Sequence, residues 1–330
     1  MSRALQLARR LVPALAFLAG VAVAAGLTIH SGAGAVAQAF AAVGLGRLLA
    51  VCGLQFVALA LCAVAWWLVA GGLPLWSCLL ARWVRDSATN LAGFFPALGE
   101  AVSSRALAAL ARADQGRAAA STIVDAAVEA LAQAVYTLLG LALLLRGLKP
   151  GEAAPWLAIV AVGLVPVLLM YAMSRHAGAL TAAERLFGRI AGLMGLKPMR
   201  FAEAVQAAFA DRRRANLSFA VHLLAWAAGA LQIFVAARAL GHPLDLGASI
   251  ALQSLVCAAR SAFFLVPWAA GVQEGGFLLV GRALGLAPTE ALALSFVLRA
   301  RDILTGAPGL LLWYAIEARL GLRRGHRAPA

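Results

Sequence analysis

Residues 90–100 read NLAGFFPALGE, and residues 264–274 read FLVPWAAGVQE. Both stretches interrupt long apolar runs of Ala, Leu, Val and Gly. A proline inside a helix removes a hydrogen-bond donor and clashes with the preceding turn. Pro96 and Gly99 therefore break the first run, and Pro267 and Gly271 break the second. A carboxylate follows each break, Glu100 in one and Glu274 in the other. The question is why a chain of this composition breaks its helix twice.

The surrounding composition names the solvent. Of 330 residues, 63% are hydrophobic and 13% charged, and the mean hydropathy is +0.88. A water-soluble domain could not cover so much apolar surface, so lipid is the expected solvent. Several runs reach the roughly 20 residues that cross a hydrocarbon core. The net charge of +14 does not point to nucleic acid, because the arginines sit between apolar runs in the pattern of the positive-inside bias. Cys52, Cys62, Cys78 and Cys257 lie in apolar segments without metal or disulfide spacing.

Spans are expected at about 11–30, 48–70, 118–145, 155–174, 216–237 and 288–316. The small-residue stretch 31–47 reads as a linker. The N-terminal apolar run lacks a clear cleavage site and reads as a retained first span. Broken segments occupy 75–98 and 246–285. This gives an all-α polytopic membrane protein with about six full spans and two broken segments, or eight crossings if each broken segment passes through. Of the 28 Lys and Arg, the N-terminal tail, 82–117, 175–215 and the C-terminal tail hold most. That distribution places both termini in the cytoplasm, with a cytoplasmic amphipathic segment at 175–215 and a basic tail at 319–330.

The two halves align. GGLPLWS at 71–77 matches LGHPLDL at 240–246, Pro96 matches Pro267, and Gly99 matches Gly271, at an offset near 170. Repeat one covers about 11–148 and repeat two about 155–318. Matching spans run in opposite directions, so the repeats are expected to be inverted. Paired helix breaks in inverted halves are how secondary transporters build a midplane site. The plainer alternative is two proline kinks in structural helices.

RWVRDSATNLAGFFPALGEAVSSRAL (82–107), AAASTIVDAAVEALAQAVYTLLGLALLL (118–145) and the region from FFLVPWAAGVQEGG (263–276) to 313 resemble the flippase-like membrane region of the lysylphosphatidylglycerol synthases. The resemblance is strongest at VQEGG (272–276) and in Ser121, Asp125, Glu129 and Gln133. The bacterial hopanoid-biosynthesis-associated branch is the closer match. The soluble aminoacyl-transferring domain of those synthases lies outside the resemblance. The family usually has Pro-Gly at the second break, where this chain has Pro267-Trp268. The resemblance implies movement or handling of a lipid.

No phosphate loop, HExxH or GxSxG motif occurs, so no catalytic residue, metal ligand or cofactor is assigned. Polar residues inside the spans carry the functional reading. Asp125 and Glu129 share one helix face, and Arg299, Arg301 and Asp302 lie in the last span. Such residues usually face a cavity or a partner. The cavity or headgroup candidates are these five with Arg82, Arg85, Asn90, Glu100, Arg105, Gln273 and Glu274. Pro96, Gly99, Pro267 and Gly271 are the helix-break candidates. The alternatives are structural ion pairs and, for the two glutamates, helix caps. The expected function is a flippase or transporter of a membrane lipid, with hopanoids or phospholipids as cargo, in the bacterial inner membrane, without enzymatic activity. An integral-membrane lipid-modifying transferase and a non-catalytic scaffold for lipid-biosynthetic enzymes are the alternatives.

Overall fold

A computed structural model describes residues 18, 19, 21–91, 98–147, 156–158, 161, 185, 211–241, 243–263 and 266–325. Pro96, nearly all of the expected span at 155–174, most of 175–215, the first part of the expected first span and the end of the tail lie outside the described residues. The helices are α1 (Val21–His30), α2 (Ala33–Val69), α3 (Leu75–Leu91), α4 (Leu98–Ala111), α5 (Gln115–Leu145), α6 (Arg212–Ala239), α7 (Leu246–Ala262), α8 (Val272–Ala283) and α9 (Pro288–Gly325). A 3-10 turn, Pro267–Ala269, separates α7 from α8. Among the described residues there is no strand.

Among the described residues, three helices are long and apolar enough to cross a membrane by length and composition: α2, α5 and α6. Polarity is distributed inside out. Leu45, Leu224, Leu311 and Tyr314 are exposed, whereas Arg82, Arg85, Asp125 and His222 are buried. A membrane requires this arrangement, because lipid replaces water against the outer faces. The chain is an all-α membrane protein.

The stretch 31–47 is not a linker. It is helical from Ala33 onward, and α2 continues through it with a kink at Gly44, whose φ is 72°. Alanine is the best helix former, so an Ala-rich run stays helical until a glycine takes a left-handed φ. Gly32, with φ 88°, separates α1 from α2 in the same way. At the other end, α9 runs into the expected tail as far as Gly325.

Local sequence fixes the helix starts. Asp114 accepts from the N–H groups of Gly116 and Arg117 at the head of α5. Asp211 and Asp245 do the same for Arg214 and Ala248 at α6 and α7. Each occupies the N-cap position, where a carboxylate satisfies free N–H groups.

Each broken segment is a pair of packed helices. In the first, Gly99 on α4 lies against the Arg85 backbone of α3; a Cβ there would sit 3.0 Å from the Arg85 carbonyl oxygen. In the second, Gly276 on α8 faces Val256 on α7. Helices α3 and α7 are each 17 residues long. They start 171 residues apart (75 and 246) and end 171 apart (91 and 262).

Close crossings depend on small residues. A Cβ at Gly140 on α5 would lie 1.8 Å from Ser254 Oγ and 3.3 Å from Ala251 Cα on α7. Gly140→Leu is expected to cost about 1–3 kcal/mol through overpacking. The melting temperature of the purified protein in detergent should fall, and an unchanged value would show that α5 and α7 are not tightly apposed.

Candidate functional site

Helix α3 sets Arg82, Arg85, Asp86 and Asn90 about one turn apart on one side. Helix α5 sets Asp125 and Glu129 opposite them, four residues apart. Arg82 grips Glu129 with both terminal nitrogens, at 2.8 and 2.7 Å, and its Nε lies 2.8 Å from Asp86 Oδ1. Arg85 donates to Asp125 Oδ2 at 2.8 Å and to Glu100 Oε1 at 3.2 Å. The other Asp125 oxygen lies 3.1 Å from His222 Nε2 on α6. Asp125 and His222 are wholly buried. The burial of this cluster is offset because Arg82 and Arg85 are each shared between carboxylates, and Asp125 and Glu129 each accept from more than one partner.

A second cluster holds the second break. Glu274 Oε2 accepts from the Gly271 N–H at 2.9 Å, capping α8. Arg299 on α9 binds Glu274 Oε1 through Nε at 3.0 Å and Oε2 through Nη2 at 3.1 Å. It also donates to the carbonyls of Trp268 at 2.5 Å and Ala269 at 3.2 Å, and its guanidinium lies 4.5 Å from the Trp268 ring centre. Trp268 and Ala269 have φ values of 60° and 46°. The left-handed region costs an ordinary residue about 1–2 kcal/mol. Where the resemblance implies glycine, Trp268 thus takes a backbone conformation that glycine adopts freely, and Arg299 holds it there. A third cluster joins Arg301 to Gln232 and, at 2.5 Å, to Asp302. Gln232 in turn donates to Gln55 at 3.1 Å.

A cavity of about 550 Å³ opens among these groups. Arg82, Arg85, Asp86, Asn90, Gly99, Glu100 and Glu129 line it from the first half; Arg260, Trp268, Gln273 and Arg301 line it from the second. Arg260 and Gln133 reach across this cavity between the halves: Arg260 donates to Asn90 Oδ1 at 3.1 Å, and Gln133 donates to Ser261 Oγ at 2.8 Å. The side-chain oxygens of Gln253 and Gln273 are buried without a partner among the described residues, and both residues line the cavity.

A model of the lysylphosphatidylglycerol synthase TM region matches residues 17–309. The chain belongs to that family. Membership carries a lipid-related function with it, at that level of detail. No curated protein and no solved structure matches the chain.

The structure sorts the candidate residues of this family member. Arg82, Arg85, Asn90, Glu100, Glu129, Gln273, Arg301 and Gly99 line the cavity. Asp125 and Asp302 stand behind it, paired with Arg85 and Arg301. Arg105 is elsewhere: it is 44% exposed and forms an ion pair with Glu317 at 2.5 Å. Glu274 and Arg299 line a separate, largely apolar groove. The expectation that Glu100 and Glu274 face one cavity is therefore corrected. Pro267 opens the 3-10 turn and Gly271, with φ 75°, caps α8.

Asp86, His222 and Arg260 join the site without having been singled out in the sequence. His222 is ionisable within an apolar span, which by itself flags function. Asp86 stands four residues after Arg82, the spacing of a helical ion pair. Arg260 has no comparable local signal. Cys62, Glu129 and His222 bring ligand-type atoms within 4.8 Å of one another. A cation there would compete with Arg82 for both Glu129 oxygens.

Proposed function

We propose that the chain moves an amphiphilic lipid between the leaflets of the bacterial inner membrane, its headgroup passing through the cavity while its apolar part stays in lipid. Phospholipids with anionic headgroups fit the lining, and hopanoids remain a candidate cargo. The reading rests on one observation: charged side chains from both broken segments line a cavity of about 550 Å³ inside a protein whose outer face is apolar. That volume is within the ~300–1,000 Å³ typical of ligand sites. The protein performs no chemistry on the lipid in this reading.

The two halves act as inverted repeats in the same reading. Asn90 and Arg260 are 170 residues apart, one short of the 171 that separates α3 from α7, and bond to each other. Near a two-fold axis, residues meet the neighbourhood of their own counterparts in this way. Both termini are then cytoplasmic. Residue 195, substituted by cysteine, should resist a membrane-impermeant thiol reagent applied to the periplasmic side of cells. Labelling from that side would reverse the topology.

The purified protein in liposomes, with a leaflet-resolved assay of fluorescent phospholipid, tests the function. Movement without a new lipid species supports transport. A new species supports a transferase, and neither result leaves the scaffold. Within the cavity, Arg260 is the cation whose partner among the described residues is the neutral Asn90. It is thus free to meet a headgroup phosphate. Arg260→Gln should slow movement about tenfold, since a hydrogen bond to a charged group contributes about 1.5–3 kcal/mol. Its melting temperature should match the unaltered protein. Unchanged movement would exclude Arg260 from headgroup contact.

A further inference from the structure

Beside the polar cavity lies a groove of about 700 Å³ between α1, α2, α8 and α9. Its walls are Ala25 and Ile29 of α1, Phe40 of α2, and Phe296, Ala300 and Ile303 of α9, with the Glu274–Arg299 pair as its polar patch. Trp268 lines both spaces. The groove and the cavity therefore share a wall, with arginines on one side and apolar side chains on the other. An amphiphile has the same division. The Trp268 indole N–H is buried and has no acceptor among the described residues. A donor on the shared wall without a partner suits an oxygen at the junction of a lipid's headgroup and its chains. The backbone at Trp268 and Ala269 is left-handed, and strain of this kind is stored at sites that change conformation.

We propose that the groove and the cavity form one split site for a phospholipid with an anionic headgroup. An acyl chain lies in the groove, the headgroup lies in the cavity, and Trp268 is the partition between them. This extends the transport reading by naming where the chain goes, and it rests on that reading for the role of the cavity. The exposed Leu224 of α6 provides the comparison surface, since any membrane protein touches acyl chains along its outer face.

Photolabelling tests the site. The full chain is placed in phosphatidylglycerol vesicles containing a phosphatidylglycerol with a diazirine in mid-chain, and labelled residues are read by mass spectrometry. Phe296 and Ile303 should be labelled about tenfold more than Leu224. Ala25→Trp fills the groove from the exposed face of α1 and should remove that excess while leaving Leu224 unchanged. Ala300→Trp does the same from α9 and serves if the first variant fails to fold. Trp268→Gly removes the ring and relaxes the backbone, so label should appear at Phe277 on the cavity wall. Equal labelling of groove and Leu224, or labelling indifferent to the filled groove, overturns the split site. A folded Trp268→Gly protein with Phe277 unlabelled overturns the partition. Labelling reads occupancy and not movement, so a protein that binds at the groove yet moves no lipid would refute the transport function while leaving this site intact.

Discussion

Arg82→Gln should leave little folded protein. The expected loss is about 3–5 kcal/mol, the usual result of removing one member of a buried ion pair. Arg82 holds Glu129 with two hydrogen bonds and lies 2.8 Å from Asp86 through Nε. Glutamine keeps part of the volume but none of the charge. Among the described residues, Glu129 would retain Arg85, at 3.2 Å, and Asp86 would lose its ion-pair partner. The opposing view is that buried ion pairs contribute little net stability, because desolvation offsets attraction. Both statements hold, since the net worth of the pair differs from the cost of orphaning one partner. The double variant Arg82→Gln with Glu129→Gln should therefore recover part of the loss, leaving Asp86 as the remaining defect. Thermal unfolding in detergent measures the cycle. A single variant as stable as the starting protein, or a double variant no better than the single, would mean that the carboxylates find water or other partners. With both terminal nitrogens engaged by Glu129, Arg82 is scaffolding for the cavity, and this separates it from Arg260, whose partner is neutral.

The legible parts of the fold came from local patterns. A proline and a glycine inside an apolar run do not mark a break everywhere, since α9 runs on through Gly306, Pro308 and Gly309; they do so at Pro267 and Gly271, and the 17-residue helices α3 and α7 begin just after the matched Leu-Pro and His-Pro motifs. Asp125 and Glu129 could be placed on one face because a helix repeats every 3.6 residues. The missed features required knowledge of the third dimension. Stretch 31–47 reads as a linker from its small residues. Only Gly32 and Gly44 take left-handed φ there, and the alanines between them stay helical. Arg260 carries no local signal in the sequence; it lies in the last turn of α7 and reaches Asn90 of the other half. His222 is one of five histidines in the sequence; its meaning depends on Asp125, 97 positions away. No pattern within one helix reports a pairing across helices.

Glu100→Gln and Glu274→Gln should have opposite consequences, although the sequence presents the two residues as counterparts. The register explains why. Glu100 follows its glycine by one residue and Glu274 follows its glycine by three. Two extra residues rotate a side chain by roughly 200° around a helix of 3.6 residues per turn. Glu100 therefore lines the cavity, and its side chain is 37% exposed with one contact to Arg85 at 3.2 Å. Glu274 turns away, is 1% exposed, caps Gly271, and binds Arg299 and Ser295. Its charge balances Arg299, which in turn holds the carbonyls of the strained Trp268 and Ala269. Glu274→Gln removes that charge while leaving Arg299 buried, and should destabilise the protein by about 3–5 kcal/mol. The fall in melting temperature should reach about 10 °C, with any change in transport following from misfolding. Glu100→Gln should melt within about 2 °C of the unaltered protein, since a partly exposed pair contributes about 0–1 kcal/mol. Its effect should fall on lipid movement, because Arg85 then gives up one of the carboxylates that hold it and presents more positive charge to the cavity. Melting curves and the liposome assay on both variants decide the assignment. Destabilisation by Glu100→Gln, or a stable Glu274→Gln protein that has lost movement, would exchange the roles of the two glutamates.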